Sequence, residues 1–175
     1  MAATGHYLGM TLSIPDLDAD NAAYFRFCAQ GELRLQRCTA CDLMRYPVGP
    51  ACPWCSGNAF EWDPVSGRGT VYSYTEVRHP VLSAFREHVP YLTLLVELDE
   101  QRAEPTEHEA IRMIGNLATP DAALAPSELI RTVGIGSRVQ VTFASAGPNI
   151  AIPLWSLDES QTRSAMPWRY PEPSD

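Results

Sequence analysis

The chain has 175 residues and carries 13 basic against 21 acidic side chains, for a formal net charge of −8. Every basic residue is an arginine, and the absence of lysine excludes Schiff-base chemistry and the lysine-dependent phosphate loop. No apolar run approaches the length of a bilayer span and no export signal opens the chain, so we expect a cytoplasmic protein with no membrane partner. Residues 24–86 carry seven arginines against five acids, whereas residues 87–175 carry six against thirteen. A nucleic-acid footprint is usually far more basic, so no nucleic-acid partner is expected.

The first 31 residues predict an arm followed by a helix. Residues 1–15 are small and irregular and end on a proline, so we expect a flexible N-terminal arm or a segment held by a partner. Residues 16–31 predict a helix, with acids crowded in its first turn and Gly31 as its stop. Its many aromatic side chains leave two interpretations open: packing on its own domain alone, or packing against a partner as well. Cys28, on the same face, is interpreted as a packed thiol.

Residues 32–63 predict a zinc ribbon, because two Cys-x-x-Cys knuckles are separated by ten residues. An alternating stretch over the first six of these residues predicts a strand that leads into the first knuckle. Two disulfides, a thioredoxin-like redox pair and an iron–sulfur site are the alternatives. Disulfides need an oxidising compartment, and a redox dithiol needs one exposed pair of low pKa rather than two matched pairs. We therefore predict one structural Zn²⁺ with four thiolate ligands, Cys38, Cys41, Cys52 and Cys55.

In the predicted domain 64–157, the hydrophobic period changes to two from Gly67 onward, as in half-buried strands. Three strand-like segments, a short helical segment and two further strand-like segments follow one another. This is the element order of an OB-fold, a five-stranded Greek-key barrel, so the predicted class is mainly β. Gly115 is expected to mark a bulge or a sharp coil, and the polar tail 158–175 has no period of its own. The predicted strands are 69–77, 91–98, 111–118, 139–143 and 150–154, and the predicted helix is 126–134.

The motifs of the chain resemble those of the DUF35 proteins. The resemblance covers about residues 20–157 and implies a zinc-ribbon/OB-fold protein associated with acyl-CoA enzymes of lipid or steroid metabolism. Such proteins are usually non-catalytic partners of a thiolase-fold enzyme, which is a thiolase, an acyltransferase or a retro-aldolase of steroid side-chain breakdown. Some members are fused to, or paired with, MaoC-type hydratases. The motifs that carry the resemblance are the helix, the run from Gly31 to Cys38, Arg45-Tyr46-Pro47, Cys52-Pro53-Trp54-Cys55, the run from Gly67 to Thr75, and Pro90-Tyr91.

The resemblance also implies a shared ligand, and the aromatic residues of the helix and the tail predict a docking surface. Acyl-CoA is the expected shared ligand, and its phosphates need cations. We expect a 2:2 heterotetramer with a thiolase-like protein, since closed twofold symmetry gives one copy per catalytic chain. The docking surface is expected to combine the helix, the ribbon and the tail, and to leave the acidic loop 100–109 in solvent. The hypothesised CoA-binding residues are Arg34, Arg37, Arg45, Arg68 and Arg78, and the hypothesised partner-binding residues are Tyr24, Phe27, Trp168 and Tyr170.

No set of side chains in the sequence predicts catalysis by this chain alone. His79 and His88 share a loop with nearby acids, which is a common loop composition. Ser73 and Ser83 lack the sequence context of a nucleophile elbow. We therefore predict no catalytic residue, and an accessory role in a larger acyl-CoA thiolase or aldolase complex.

A single-stranded nucleic-acid-binding ribbon/OB module is the alternative function. OB-folds bind oligonucleotides in other proteins, and Tyr72 and Tyr74 on one strand face could stack bases. The acidic balance of the chain counts against this interpretation, and fold analogy alone is a weak argument.

Overall fold

The computed structural model describes residues 3–15, 18–160 and 167–169. The chain is mainly β, as predicted, with an N-terminal hairpin and helix followed by a three-stranded ribbon sheet and a five-stranded barrel. Within these residues, no helix is both long and apolar enough to cross a membrane. The elements are β1 (Ala3–Tyr7), β2 (Met10–Ile14), α1 (Ala19–Ala29), β3 (Arg34–Cys38), β4 (Met44–Arg45), β5 (Phe60–Pro64), β6 (Arg68–Val77), a 3₁₀ helix (Ser83–His88), β7 (Tyr91–Leu98), β8 (Arg112–Asn116), α2 (Ser127–Ile130), β9 (Arg138–Gly147) and β10 (Ile150–Leu157).

The first two strands form a hairpin, whereas the sequence predicted an irregular arm over residues 1–15. β1 and β2 pair antiparallel along their full lengths, across a two-residue turn. The hairpin lies on β9, where a side chain at Gly5 would meet the carbonyl oxygen of Ala146 at 2.3 Å. Ile14 packs there with Ala146 and Ile150. The prediction of irregular structure is wrong because the hairpin gains its burial from a strand that is distant in the sequence.

α1 begins and ends at local capping signals. The carboxylate of Asp18 accepts a hydrogen bond from the backbone N–H of Asn21 at 3.2 Å, which satisfies a donor of the first turn. At the other end Gly31 adopts a φ of 79°, and its N–H donates to the carbonyl of Cys28 at 3.0 Å. The predicted stop at Gly31 is confirmed. The first two residues of the predicted helix, 16–31, lie outside the described residues.

The aromatic side chains of α1 pack within the chain. Tyr24 is only 3% exposed, and its ring centroid lies 6.1 Å from that of Tyr46 in the ribbon. Phe27 meets Trp62 edge to face with the ring centroids 5.3 Å apart. Cys28 is buried as predicted, and burial raises the pKa of its thiol to about 12. Because its opposite side lies on β10, the helix is held between the ribbon and the barrel.

β3 is the central strand of the ribbon sheet, whose order is β4-β3-β5. β5 pairs with all of β3, from Arg34↔Pro64 to Cys38↔Phe60, whereas β4 adds only two pairs. The strand predicted to lead into the first knuckle is therefore present and occupies the middle of the sheet.

The five barrel strands have the connectivity of an OB-fold. Their order in the sheet is β10-β9-β6-β7-β8, and a parallel bridge between Leu117 and Trp155 joins the two edges. α2 lies between β8 and β9 in the chain, as predicted. β7 alternates strictly, as predicted, and its four inward side chains are fully buried: Leu92, Leu94, Val96 and Leu98.

The barrel irregularity that was predicted at Gly115 lies elsewhere. A side chain at Gly115 would meet the indole of Trp155 at 2.9 Å, so this glycine permits close packing. One register shift falls in β10, between Ile150 and Ala151, and another falls in β6, between Val71 and Ser73. The shift in β6 leaves Tyr72 51% exposed, while Tyr74 is partly buried and packs against the core. The prediction that both tyrosines lie on one strand face is therefore wrong.

The loop between β7 and β8 joins the barrel to the ribbon. The side-chain amide of Gln101 accepts a hydrogen bond from the N–H of Met44 at 2.5 Å and donates to the Met44 carbonyl at 3.0 Å. Residues 102–108 are exposed, as expected for an acidic loop in solvent. The expectation that residues 100–109 lie in solvent is wrong at Gln101. Its side-chain amide hydrogen-bonds to the backbone N–H and carbonyl of Met44, which the edge strand β4 would otherwise leave unpaired.

Candidate functional site

The four knuckle cysteines converge on one point. Their sulfur atoms all lie within 4.8 Å of one another, and the Cys38–Cys55 and Cys41–Cys52 sulfur pairs are each 3.6 Å apart. Four sulfurs placed about 2.3 Å from a tetrahedral Zn²⁺ lie about 3.8 Å from one another. A disulfide would need a sulfur–sulfur distance of about 2.05 Å. The cage therefore fits one zinc ion and not two disulfides, in agreement with the sequence.

Backbone N–H groups of the knuckles stabilise negative charge on the sulfurs. The N–H groups of Cys41 and Ala40 lower the pKa of the Cys38 thiol to about 6. Burial raises the pKa of Cys52, but N–H groups of the second knuckle lower it on balance. The N–H of Leu43 lowers the pKa of Cys41, yet burial and the neighbouring thiols raise it on balance to about 12. Four thiolates cannot coexist at this distance without a cation, and Zn²⁺ would supply that charge.

The chain closes tightly around the sulfur cage. Cys38 and Cys52 are buried, whereas Cys55 is exposed, so the cage lies near the surface on one side. A side chain at Gly57 would lie 3.3 Å from the sulfur of Cys55 and 3.4 Å from that of Cys38. With four protein ligands around it, a zinc ion here has no open coordination position and serves a structural role.

A buried arginine lies in the same ribbon. Arg45 is 2% exposed, and its Nε donates to the side-chain oxygen of Gln36 at 2.7 Å. Its guanidinium lies over the ring of Phe60, 4.9 Å from the centroid, and its terminal nitrogens have no hydrogen-bond partner among the described residues. Gln36 lies two residues from Cys38 on β3, about 6.6 Å along the strand. A zinc–thiolate cluster with a charge of about −2 would offset part of this buried positive charge.

The five arginines hypothesised to bind CoA do not converge. Arg68 begins β6 and Arg78 follows its end, so about 33 Å of strand separates their backbones. A CoA-binding role for this set stays a prediction. Besides Arg45, which bonds to Gln36, the other four each contact a polar side chain: Arg34 with Glu32 at 2.7 Å, Arg37 with Asp63 at 2.6 Å, Arg68 with Gln140 at 3.2 Å and Arg78 with Glu76 at 2.9 Å.

A cavity of about 430 Å³ brings together arginines that the sequence did not connect. It lies where the end of β6, the segment before β7, and α2 meet. Arg78, Arg131 and Arg169 line it, together with Glu76. Only Arg78 belongs to the predicted set, because no local pattern relates the other two to it. The tertiary fold alone brings these side chains to one cavity.

The residues hypothesised to bind a partner differ in exposure. Tyr24 belongs to the core and Phe27 is half-buried against Trp62, so only Phe27 offers part of its ring to another molecule. Trp168 is 59% exposed, and its backbone exchanges hydrogen bonds of 2.9 and 3.0 Å with Ile135 of the barrel. The fourth residue, Tyr170, lies outside the described residues. Their partner-binding role stays a prediction.

The loop histidines form no catalytic arrangement in the described part of the chain. His79 and His88 are exposed, and neither hydrogen-bonds to a described side chain. Ser73 and Ser83 are exposed as well, and neither hydroxyl bonds to a histidine or carboxylate of the described residues that could activate it.

Known proteins share this architecture. The family model described as the ChsH2 rubredoxin-like zinc ribbon domain matches residues 25–61, and that of the ChsH2 C-terminal OB-fold domain matches residues 62–144. A solved structure described as "Ltp2-ChsH2(DUF35) aldolase" contains a chain that is 33% identical, with a TM-score of 0.62. The match covers 82% of this chain and 98% of that one.

Two curated proteins are similar over parts of their length. A "Probable enoyl-CoA hydratase alpha subunit" of Thermomonospora curvata is 36% identical over 143 residues, which are 81% of this chain and 38% of that protein. A "DUF35 domain-containing scaffold protein" of Pyrococcus furiosus is 40% identical over 55 residues, which are 31% of this chain and 40% of that protein. The chain therefore spans about two fifths of the length of these curated relatives.

Proposed function

Because this chain belongs to the DUF35 family of zinc-ribbon and OB-fold proteins that includes ChsH2, we propose that it is a non-catalytic subunit that docks on a thiolase-like acyl-CoA enzyme and helps to form its acyl-CoA site. One observation carries the proposal. A chain of the same architecture, matched over 98% of its length, is part of a structure described as an aldolase. The name of the archaeal relative, a scaffold protein, points in the same direction.

The chemistry of the described residues supports an accessory role. The zinc cage has no open position for a substrate, and the loop histidines and serines assemble no nucleophile with its base. The ribbon, α1 and the barrel pack on one another and so form one continuous surface. A subunit of this kind acts by shaping the acyl-CoA site of its partner enzyme. We propose a thiolase, an acyltransferase or a retro-aldolase as the partner, in a 2:2 assembly.

A MaoC-type hydratase is a second proposed partner. The relative named as a hydratase alpha subunit is similar to this chain over 38% of its own length. In that protein the region similar to this chain therefore lies in one polypeptide with a longer region that has no counterpart here. A separate hydratase that binds this chain would reproduce the same association between two polypeptides.

The structure of the barrel does not favour the alternative function of binding single-stranded nucleic acid. The register shift in β6 separates Tyr72 from Tyr74, so the two rings do not form one platform for successive bases. The exposed ring of Tyr72 is already stacked by Arg112, whose guanidinium carbon lies 4.0 Å from the ring centroid.

Turnover of acyl-CoA tests the proposal. It would be measured with the zinc-loaded chain alone, with a thiolase-like acyl-CoA enzyme alone, and with both together. We expect no turnover by the chain alone and a higher rate for the mixture than for the enzyme alone. Turnover by the isolated chain, or a mixture no faster than the enzyme, would contradict the proposal. Arg37→Gln in the mixture tests the CoA hypothesis, because Arg37 is partly exposed, whereas Arg45→Ala would disturb the buried core. If Arg37 binds CoA, Arg37→Gln should raise KM more than it lowers kcat.

A further inference from the structure

The cavity beside α2 is positively charged in a chain that is strongly acidic. Three guanidinium groups and one carboxylate line it, whereas the whole chain carries a formal charge of −8. A second cavity, of about 430 Å³ at the start of α1, is lined by Asp18 and Asp20 and no basic residue. A third, of about 230 Å³ near Gly31, has Glu32 as its charged residue. Of these three cavities, only the first is suited to an anion.

The guanidinium groups in this cavity are incompletely neutralised. Arg78 lies 2.9 Å from one oxygen of Glu76, and Arg169 lies 3.8 Å from the other, so one carboxylate serves two cations. Arg131 is exposed and has no ion pair or side-chain hydrogen bond among the described residues. Like charges gathered at one place repel one another, and a bound anion relieves that repulsion.

The three arginines differ in how firmly they are held. Arg169 donates hydrogen bonds to the carbonyl of Ile130, the last residue of α2, and to that of Val133 beyond it, and its guanidinium lies 5.6 Å from the ring centroid of Tyr74. Its position is therefore fixed by the fold. Arg78 keeps 72% of its side chain exposed. Arg78 and Arg131 can consequently turn toward a ligand, while Arg169 supplies a fixed positive charge behind them.

We propose that this cavity binds the phosphate groups of the acyl-CoA, with Arg78 and Arg131 as the direct contacts and Arg169 as a positioning residue. The inference rests on the proposed function for the identity of the ligand. A phosphate oxyanion accepts paired N–H donors from a guanidinium, which is the recognition geometry that arginine provides. The volume of the cavity lies in the range of small-molecule sites. One side of the cavity is apolar, because Val89, Pro90 and Ile130 line it.

Calorimetric titration of the zinc-loaded full chain tests this inference, with coenzyme A, pantetheine and inorganic phosphate as the three probes. Coenzyme A should bind and pantetheine, which lacks phosphate, should bind at least about tenfold more weakly. Inorganic phosphate should compete with coenzyme A for the cavity. If phosphate binds there and coenzyme A does not, the site is one for free phosphate and the inference is overturned. Absence of any coenzyme A binding by the chain overturns it as well.

Substitutions of opposite sign separate ligand contact from a merely structural role. Arg131→Gln should raise the Kd for coenzyme A about tenfold, because it removes one charge-assisted contact. Glu76→Gln should lower the Kd about threefold, because it removes the competing carboxylate. If the two variants change the Kd for coenzyme A equally in the same direction, or do not change it, the assignment of the cavity as the phosphate site is contradicted. Zinc content and the circular dichroism spectrum verify that each variant is folded.

Arg102→Gln is the matched control for charge. Arg102 bonds to Thr70 at 3.3 Å, near the start of β6, and so lies about 20 Å along the strand from Glu76. Its loss changes the net charge equally and should leave the Kd within about twofold of the parent value. If Arg102→Gln weakens binding as much as Arg131→Gln, the effect belongs to the overall charge and the cavity assignment fails.

The outcome also separates this inference from the proposed function. If the variants leave coenzyme A binding unchanged while the complex with a thiolase-like enzyme forms, only the phosphate assignment falls. If the cavity binds coenzyme A as predicted and no complex forms, the accessory-subunit proposal falls instead.

Discussion

The ribbon and the barrel are stabilised by different physical means, although they lie in one chain and pack on one helix. In the ribbon, buried thiols and the buried polar side chains of Gln36 and Arg45 lie beside apolar residues such as Leu35 and Met44. In the barrel, the interior is filled by fully buried side chains from β7 and β10, with Trp155 the largest. The ribbon therefore depends on a metal to offset its charge and to order its chain, whereas the barrel depends on the burial of apolar area. We therefore expect that the two parts can be destabilised separately, although their buried apolar residues form one cluster.

The largest separation should come from removing a metal ligand. Cys52→Ser should release zinc and unfold the ribbon, because apparent zinc-binding free energies of about 10–16 kcal/mol in small zinc modules are also folding free energies. The barrel should stay folded. Metal analysis and amide hydrogen exchange measure the two effects.

Cys28→Ala is the matched control, since Cys28 is a buried cysteine outside the cage. It should retain one equivalent of zinc. If the Cys52→Ser variant loses both its zinc and the protection of β7 amides from hydrogen exchange, the two regions unfold as one unit. That result would contradict their separate stabilities.

The converse change is in the barrel. Trp155→Ala should destabilise the protein by about 3–5 kcal/mol, because it leaves a cavity at the point where β8 and β10 close the barrel. Thermal unfolding followed by near-ultraviolet circular dichroism measures this loss. Trp168→Ala, at an exposed tryptophan, is the control and should cost less than about 1 kcal/mol. If the two variants lose similar amounts of unfolding free energy, Trp155 does not stabilise the closure of the barrel.

The connection between the two regions gives a smaller effect. Gln101→Ala removes both hydrogen bonds to Met44 and should cost about 1–2 kcal/mol. The faster exchange should be confined to β4 and its neighbours. Arg102→Ala, in the same loop, removes an exposed side chain and should leave β4 unaffected. If Gln101→Ala accelerates exchange throughout the barrel, the loop supports the barrel rather than joining it to the ribbon.

The smallest effect concerns an ion pair at the end of β7. Hydrogen bonding from Arg138 lowers the pKa of Asp99 below its ordinary value of 3.8. A lowered folded-state pKa stabilises the protein above pH 3.8, and that stability is lost as the pH falls through the folded value. Asp99→Asn should therefore cost less than about 1 kcal/mol at neutral pH, since the pair is partly exposed. Denaturant titrations at pH 7 and pH 3 should show this difference shrinking in acid, and a difference that grows in acid would contradict the assignment.

Sequence patterns predicted those features that local chemistry determines. The spacing of the cysteines predicts the zinc cage, Gly31 predicts the end of α1, and strict alternation predicts β7. These features are predictable because a ligand set, a positive φ angle and a two-residue period each leave a mark within a few residues.

The remaining features depend on contacts between distant parts of the chain. The N-terminal hairpin is buried by β9, and Gly115 is required by an indole 40 residues later. The cavity collects Arg78, Arg131 and Arg169 from three separate segments. No local pattern relates these residues, so the arginines chosen from the sequence include Arg78 but not Arg131 or Arg169.

We propose that this chain works as a subunit of a thiolase-like acyl-CoA enzyme, and the native mass of the co-expressed pair is the direct measurement of that association. We expect a particle that contains two copies of the 19.3 kDa chain and two copies of the thiolase-like protein, with one zinc per copy of this chain. Phe27→Ala should weaken the particle and leave the zinc content intact, while Arg102→Gln should leave both unchanged. A chain that migrates alone at 19.3 kDa beside an intact thiolase-like dimer, with zinc fully bound, would contradict the account.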